Sequence, residues 1–195
     1  MEMKEILAHK SNYGAKRSTS NIKYIVVHYT ANDGDHDESN AKYFQGANRK
    51  ASAHYFVDDD SVTQSVPDNY VAWSVGGNKY NNKGGRLYKV ATNSNTLNIE
   101  LCDTVKDGRV IASPQTIENA ATLIAFKMLQ YGMDADHIIR HYDVNGKPCP
   151  KYWVSEYTEN GDLLFNIFRM MCEQKKNDLI AFFNPSVSDD AKKIS

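Results

Sequence analysis

YIVVHYT, residues 24–30, is the stretch on which the fold turns. Every residue in it except His28 is β-branched or aromatic, and both of its alternating faces are apolar. That pattern belongs to a central strand covered on both sides, because a strand with one wet face alternates apolar with polar residues. His28 lies near the carboxyl end of this strand.

A second strand, TLNIELCD (96–103), alternates cleanly, with Leu97, Ile99 and Leu101 on one face and Asn98, Glu100 and Cys102 on the other. SAHYFVD (52–58) and SVTQSV (61–66) flank the turn-like pair Asp59 and Asp60 and read as a hairpin. HIIRH (137–141) is a further short strand, followed by a loop, YDVNGKPCPKYW (142–153), whose two prolines forbid regular ladders. Three helices complete the pattern. One is capped by the polar turn after Thr30 and runs over about 38–46, with Ala41, Phe44 and Gln45 on its inner side or boundary. The second starts at the cap and first-turn pair Ser113 and Pro114 and carries Ile117, Ala120, Ala121, Ile124 and Met128 at helical spacing through Tyr131. The third has Leu163, Leu164, Ile167, Phe168 and Met171 as its apolar face. Strands punctuated by helices predict an α/β (α+β) fold with a central mixed sheet flanked by helices. Residues 1–183 read as one domain and 184–195 as a polar tail or the stub of a linker.

The length of 195 residues suits a single domain with a real core. Lys plus Arg number 23 against 24 Asp plus Glu, so the net charge of -1 lacks the basic footprint of a nucleic-acid binder. Uninterrupted apolar runs are far shorter than the roughly 20 residues that span a bilayer, so no membrane insertion is expected. The amino terminus, MEMKEILAHK, has no apolar segment or small-residue cleavage site and does not read as a secretory signal. Three widely spaced cysteines, Cys102, Cys149 and Cys172, do not make a disulfide framework; they are buried thiols or include one chemically employed sulfur.

Asp33, Asp35 and Asp37 fall short of a calcium loop, because the sixth position is Glu38 and the twelfth is Phe44. Residues 76–95 are Gly- and Asn-rich without pattern, and loops of that length are uncommon unless they serve a function. Within them, Lys79, Lys83, Arg86 and Lys89 with Tyr80 and Tyr88 form a basic aromatic loop, either solvated or placed to meet an acidic polymer. A catalytic zinc takes three protein ligands from His, Cys or carboxylate and leaves a fourth position for water. His28, His141 and Cys149 qualify by type, and only tertiary structure can bring them together. With six histidines in the chain, spacing alone does not separate such ligands from hydrogen-bonded core residues.

Taken in order, VVHYTAN, SAHYFVDDDSVTQSV, AWSVGGN, TLNIELCD and IIRHYDVNGKPCP resemble the successive motifs of the zinc-dependent type 2 N-acetylmuramoyl-L-alanine amidases. That family includes phage endolysins, bacterial autolysins and peptidoglycan-recognition proteins. The resemblance spans about residues 22–153 and implies one catalytic zinc held by His28, His141 and Cys149. It further implies Glu100 as general base, Lys147 as support for the transition state, and peptidoglycan as the partner. Residue chemistry is consistent with those roles: a carboxylate on the non-core strand face can move a proton, and an ammonium two positions before Cys149 can oppose a developing oxyanion. On sequence alone Lys147 is equally an exposed loop lysine, and Asp143 is either an acceptor orienting a ligand or a turn former.

Two departures from the family pattern stand out. Some phage members place a tyrosine directly before the histidine of the second motif; Ala53 stands there, which shifts weight onto Glu100, and Tyr55 does not inherit the role. Many members read AWHAG where this chain reads AWSVG, so Ser74 replaces a cleft histidine. His54 reads as structural or cleft-lining, Trp73 as packing beside the cleft or binding sugar, and Cys102 and Cys172 as buried thiols. The expected biology is that of a phage or prophage endolysin or an autolysin, made in the cytoplasm, acting on the wall after release, and monomeric. The alternative is a peptidoglycan-recognition module without catalysis.

Overall fold

The computed structural model describes residues 2–106 and 108–184. In chain order its elements are strands β1 (Glu2–Glu5), β2 (Tyr13–Lys16) and β3 (Tyr24–Asp33), helix α1 (Asp37–Gln45), then β4 (Tyr55–Val57), β5 (Ser61–Gln64), β6 (Tyr70–Ala72), β7 (Thr96–Lys106) and β8 (Arg109–Ile111). Helix α2 (Pro114–Tyr131), strand β9 (Ile138–Arg140), the short helix α3 (His141–Asn145) and helix α4 (Gly161–Phe183) follow. The main sheet runs β1-β5-β4-β7-β3-β9, with β8 added to β7. Its pairs are parallel except the β4/β5 and β7/β8 hairpins, and β2 and β6 form a separate antiparallel pair. This is the expected mixed α/β sheet, and β3 lies inside it with β7 and β9 on its two sides.

Strand periodicity divides the molecule into a core face and a chemical face. Ile25 and Val27 of β3 and Leu97, Ile99 and Leu101 of β7 are fully buried beneath α2 and α4, in a cluster with Ala120, Ile124, Met128, Phe165 and Phe168. The alternate residues point the other way. Register pairs Val26 with Asn98 and His28 with Glu100, and β4 sets Phe56 beside Glu100. That second face is covered by α1, where Ala41 and Phe44 pack on Ala53 and Phe56, and by the segment carrying Val75, Ala91 and Val144. From Ile25 to His28 β3 is therefore buried on both faces, as the composition requires.

Helix α2 begins where Ser113 accepts a hydrogen bond from the Thr116 N–H at 3.0 Å and ends at Gly132, whose φ of 64° is the left-handed conformation glycine adopts without strain. Three readings need correction. In the predicted helix near residue 41, Gln45 is exposed. In α4, Leu163, Leu164 and Ile167 face solvent at 57%, 44% and 52% exposure, while Phe165, Phe168 and Cys172 are buried. The buried face is selected by Trp153, whose ring lies 5.6 Å from Phe165 and 4.5 Å from Phe168, a contact that periodicity cannot register. Finally, the stretch after β9 is not loop throughout, because residues 141–145 form α3 ahead of the two prolines. All but the first residue of the polar tail expected over 184–195 lies outside the described residues.

Candidate metal centre

Three segments deliver the candidate ligands. His28 hangs from β3 near the carboxyl end of the sheet, His141 opens α3 directly after β9, and Cys149 lies in the loop beyond α3. A backbone bond from the Tyr142 N–H to the Cys149 carbonyl, 3.1 Å, folds that loop back so that His141 and Cys149 face the same space. One donor atom from each of His28, His141 and Cys149 lies within 4.8 Å of the others, and all three side chains are buried. The Cys149 Sγ is 3.8 Å from the His28 Nδ1, and the imidazole rings are 4.8 Å apart at 68°. A tetrahedral zinc with bonds of about 2.0–2.3 Å spaces its ligands by about 3.3–3.8 Å, so small side-chain movements close this set.

The protonation state of both imidazoles favours coordination. His28 Nε2 lies 3.1 Å from the Asn98 Oδ1, which can only accept, so the proton sits on Nε2 and the Nδ1 lone pair faces the cluster. Asn98 is itself oriented by a hydrogen bond from its Nδ2 to the Thr96 Oγ1. Burial lowers the His28 pKa to about 4 despite the Asn98 contact, with the Lys147 charge adding to the lowering. Burial, then His28 and Lys147, take His141 down to about 2. Both rings are therefore neutral, which is the ligating form. The two His141 nitrogens are buried without hydrogen-bond partners. Such orphaned polar atoms are destabilising unless something binds them, and a divalent cation satisfies a nitrogen lone pair. Burial pushes the Cys149 thiol far up, and the Glu100 charge adds to this, whereas the Tyr29 backbone N–H and Lys147 favour the thiolate. The donor set and its unpartnered nitrogens fit a metal of the zinc kind.

Glu100 stands beside this cluster, its Oε1 3.8 Å from the His28 Nδ1 and its side chain 21% exposed. Burial raises its pKa to about 8, against the pull of Lys147 and with help from Asp103 and Asp35. A carboxyl poised near neutrality is what a general base or acid requires. Glu100, Lys147 and the three candidate ligands line one cleft of about 250 Å³, whose other walls include Phe44, Phe56, Trp73 and Ser74. Lys147 is exposed at this cleft. Ser74 turns its hydroxyl onto the Ser52 carbonyl, and Trp73 is half-buried in the wall.

His54 is absent from the cleft. Its Nδ1 accepts from the Asn98 N–H at 3.0 Å and its Nε2 faces the Tyr70 carbonyl at 3.1 Å, with the Arg17 guanidinium adjacent, so it pins the sheet and is not a ligand. Asp143 does not touch His141 through a hydrogen bond. It accepts from the Arg140 backbone N–H at 2.8 Å and grips the Arg140 guanidinium with both oxygens, fixing the start of α3. Cys102 and Cys172 are buried free thiols. Sequence reasoning missed Asn98 and Arg140. A polar residue on the chemical face of β7 was a signal for the first, and the spacing of Arg140 and Asp143 across a helix start was one for the second.

The family model described as N-acetylmuramoyl-L-alanine amidase matches residues 18–152, a span that holds the cleft, Glu100 and all three candidate ligands. The chain belongs to this amidase family. Among amidase relatives it is similar to CwlL of Bacillus licheniformis, 37% identical over 143 residues covering 71% of this chain and 38% of that protein. It is also similar to BlyA of Bacillus subtilis (strain 168), 35% identical over 141 residues covering 69% and 38%. The chain thus spans about two fifths of the length of these amidases. Its fold matches the solution structure of the PlyG catalytic domain at a TM-score of 0.69, with 26% identity over 90% of this chain and 96% of that one. A mutant structure of PlyL matches at 0.67, with 25% identity over 88% and 98%.

Proposed function

We propose that this chain hydrolyses peptidoglycan at the amide joining the lactyl group of N-acetylmuramic acid to the L-alanine of the stem peptide, using one zinc ion held by His28, His141 and Cys149. The observation that carries the reading is the meeting of these three donors within 4.8 Å, with the Glu100 carboxyl 3.8 Å from the His28 Nδ1. Family membership and the names of the amidase relatives support the bond assigned. When bound, zinc supplies Lewis-acid chemistry, acidifying water from a pKa of about 16 to about 7 and polarising the scissile carbonyl. Glu100 takes the proton from the attacking water and hands it to the departing alanine nitrogen. Lys147 sets its ammonium against the negative charge that grows on the carbonyl oxygen. Asn98 holds His28 in the ligating tautomer, and Phe44, Phe56 and Trp73 offer apolar wall to the substrate.

The chain acts as an endolysin or autolysin catalytic unit, reaching the wall after release from the cytoplasm; one curated relative, 28% identical, is named a bifunctional autolysin. No helix among the described residues is long and apolar enough to cross a membrane. The test is a wall digest combined with metal analysis. Bound zinc, activity lost to a chelator and restored by zinc, and new amino groups without new reducing sugars are the expected results. Reducing sugars without amino groups would replace the amidase reading with a glycan hydrolase. Cys149→Ser should abolish hydrolysis while the circular dichroism stays that of the wild type; unchanged hydrolysis removes Cys149 from the ligand set.

A further inference from the structure

The basic aromatic loop does not line the cleft, and its cations are engaged elsewhere. Lys79 and Lys89 lie over the Tyr88 ring at 5.4 and 5.8 Å, Lys83 pairs with Glu156, and the Arg86 Nε is 3.9 Å from the Asp143 Oδ1. The middle of the loop instead lies against α3. A five-residue helix makes almost no internal hydrogen bonds and cannot hold itself. Two of its carbonyls are satisfied from the loop: the Gly85 N–H donates to the Val144 carbonyl at 3.1 Å and the Leu87 N–H to the Asp143 carbonyl at 2.8 Å. Leu87 packs into the cluster of Val26, Val75, Ala91, Ile139 and Val144, which anchors the loop to the sheet.

The approach is backbone on backbone. A Cβ on Gly85 would overlap the Asp143 carbonyl and come within 2.5 Å of the Tyr142 oxygen, closer than real Cβ contacts. Gly85 has no positive φ, so conformational freedom is not what this position needs; it needs the missing side chain. On the far side, Gly146, which ends α3 at φ 85°, would place a Cβ 3.2 Å from the Gly84 nitrogen. Any outward push on α3 moves His141 at its start, and through the Tyr142-to-Cys149 backbone bond it moves Cys149 as well. His28 stays on β3.

We infer that Gly85, with Leu87 behind it, is a positioning residue of the metal centre: the loop it belongs to buttresses α3 and so sets the distance of His141 and Cys149 from His28. The inference rests on the ligand set proposed above, and its test separates the two. Zinc affinity is measured by chelator competition, and the cobalt-substituted protein is examined for its thiolate-to-metal absorption. Wild-type protein that binds no zinc refutes the ligand set itself. Given wild-type binding, Gly85→Ala should weaken zinc affinity by about 10- to 100-fold, the usual effect of disturbing a ligand's support, and shift the cobalt spectrum. Val90→Ala, which trims a 53%-exposed side chain in the same loop, should stay within about twofold of wild type. Equal zinc affinity in Gly85→Ala and wild type overturns the buttress. If Gly85→Ala does not fold, Leu87→Ala decides: a loss of about fivefold or more with unchanged circular dichroism supports the inference, and wild-type affinity refutes it.

Discussion

Asn98 decides which nitrogen of His28 faces the cluster, and it does so from a position that carries no catalytic signature. Its Oδ1 can only accept, so the imidazole proton is pinned on Nε2 and the Nδ1 lone pair is left for a metal. Asn98→Ala removes that acceptor and is expected to weaken zinc binding by about 10- to 100-fold without unfolding the sheet, as read by chelator competition and circular dichroism. Glu100→Gln should separate chemistry from binding. The amide retains the shape but accepts no proton, so turnover should fall by about 10²- to 10⁴-fold while bound zinc stays stoichiometric. Loss of zinc along with turnover would mean that Glu100 supports the centre instead of serving as the base. The residue types of His28, His141, Cys149 and Glu100 advertised themselves in the sequence because few side chains can ligate or move protons. Asn98 and His54 could not be told apart from ordinary polar residues, since each acquires its role from a neighbouring strand: register sets Asn98 beside Val26, and the His54 ring takes the Asn98 N–H.

Elements were legible where their signal is local. Helix α2 carries its cap and its apolar face within its own sequence, and it runs from Pro114 to Tyr131 as read, with Gly132 as its C-cap. Strands β3 and β7 declare themselves by composition and alternation. Strand β1 does not, because it sits at the edge of the sheet and keeps Glu2, Met3 and Glu5 exposed, and charged edges carry no hydrophobic pattern. Helix α3 was hidden by the prolines downstream and owes its existence to the Arg140–Asp143 pair and the loop beside it. The face of α4 is the clearest tertiary override. It can be tested by truncation: Phe165→Ala should destabilise by about 3–5 kcal/mol, and Leu163→Ala by less than about 0.5 kcal/mol. Denaturant midpoints at constant m-value are the measurement. The reverse order would restore the face read from periodicity.

At the scale of the whole molecule, Asp68 ties together segments that are far apart in the chain. Its Oδ1 accepts from the Tyr55 hydroxyl at 2.7 Å, its Oδ2 from Lys127 at 2.6 Å and from Tyr131, and its backbone carbonyl from the Arg17 Nε at 3.0 Å. Strand β4 and helix α2 thus meet at one carboxylate that is 10% exposed, with Lys127 at 13%, and the chain before β3 is tied to the backbone of the same residue. Burial alone would raise the Asp68 pKa, but the Lys127 charge and the hydrogen bonds from Lys127, Tyr131 and Tyr55 outweigh it and hold the pKa below its ordinary 3.8. The sign follows from proton counting. Between the folded and unfolded pKa values the unfolded chain binds more protons, so stability falls as pH falls. The contribution is complete above 3.8 and disappears as pH drops through the folded value. Asp68→Asn strands Lys127 beside a neutral amide and is expected to cost about 3–5 kcal/mol at pH 7. Urea titrations between about pH 7 and pH 2 should show the gap between wild type and variant constant down to about pH 4 and then closing, because protonation of the wild-type carboxyl reproduces the substitution. A gap that persists undiminished at the acid end would show that Asp68 acts by shape and hydrogen bonding, with no part played by its charge.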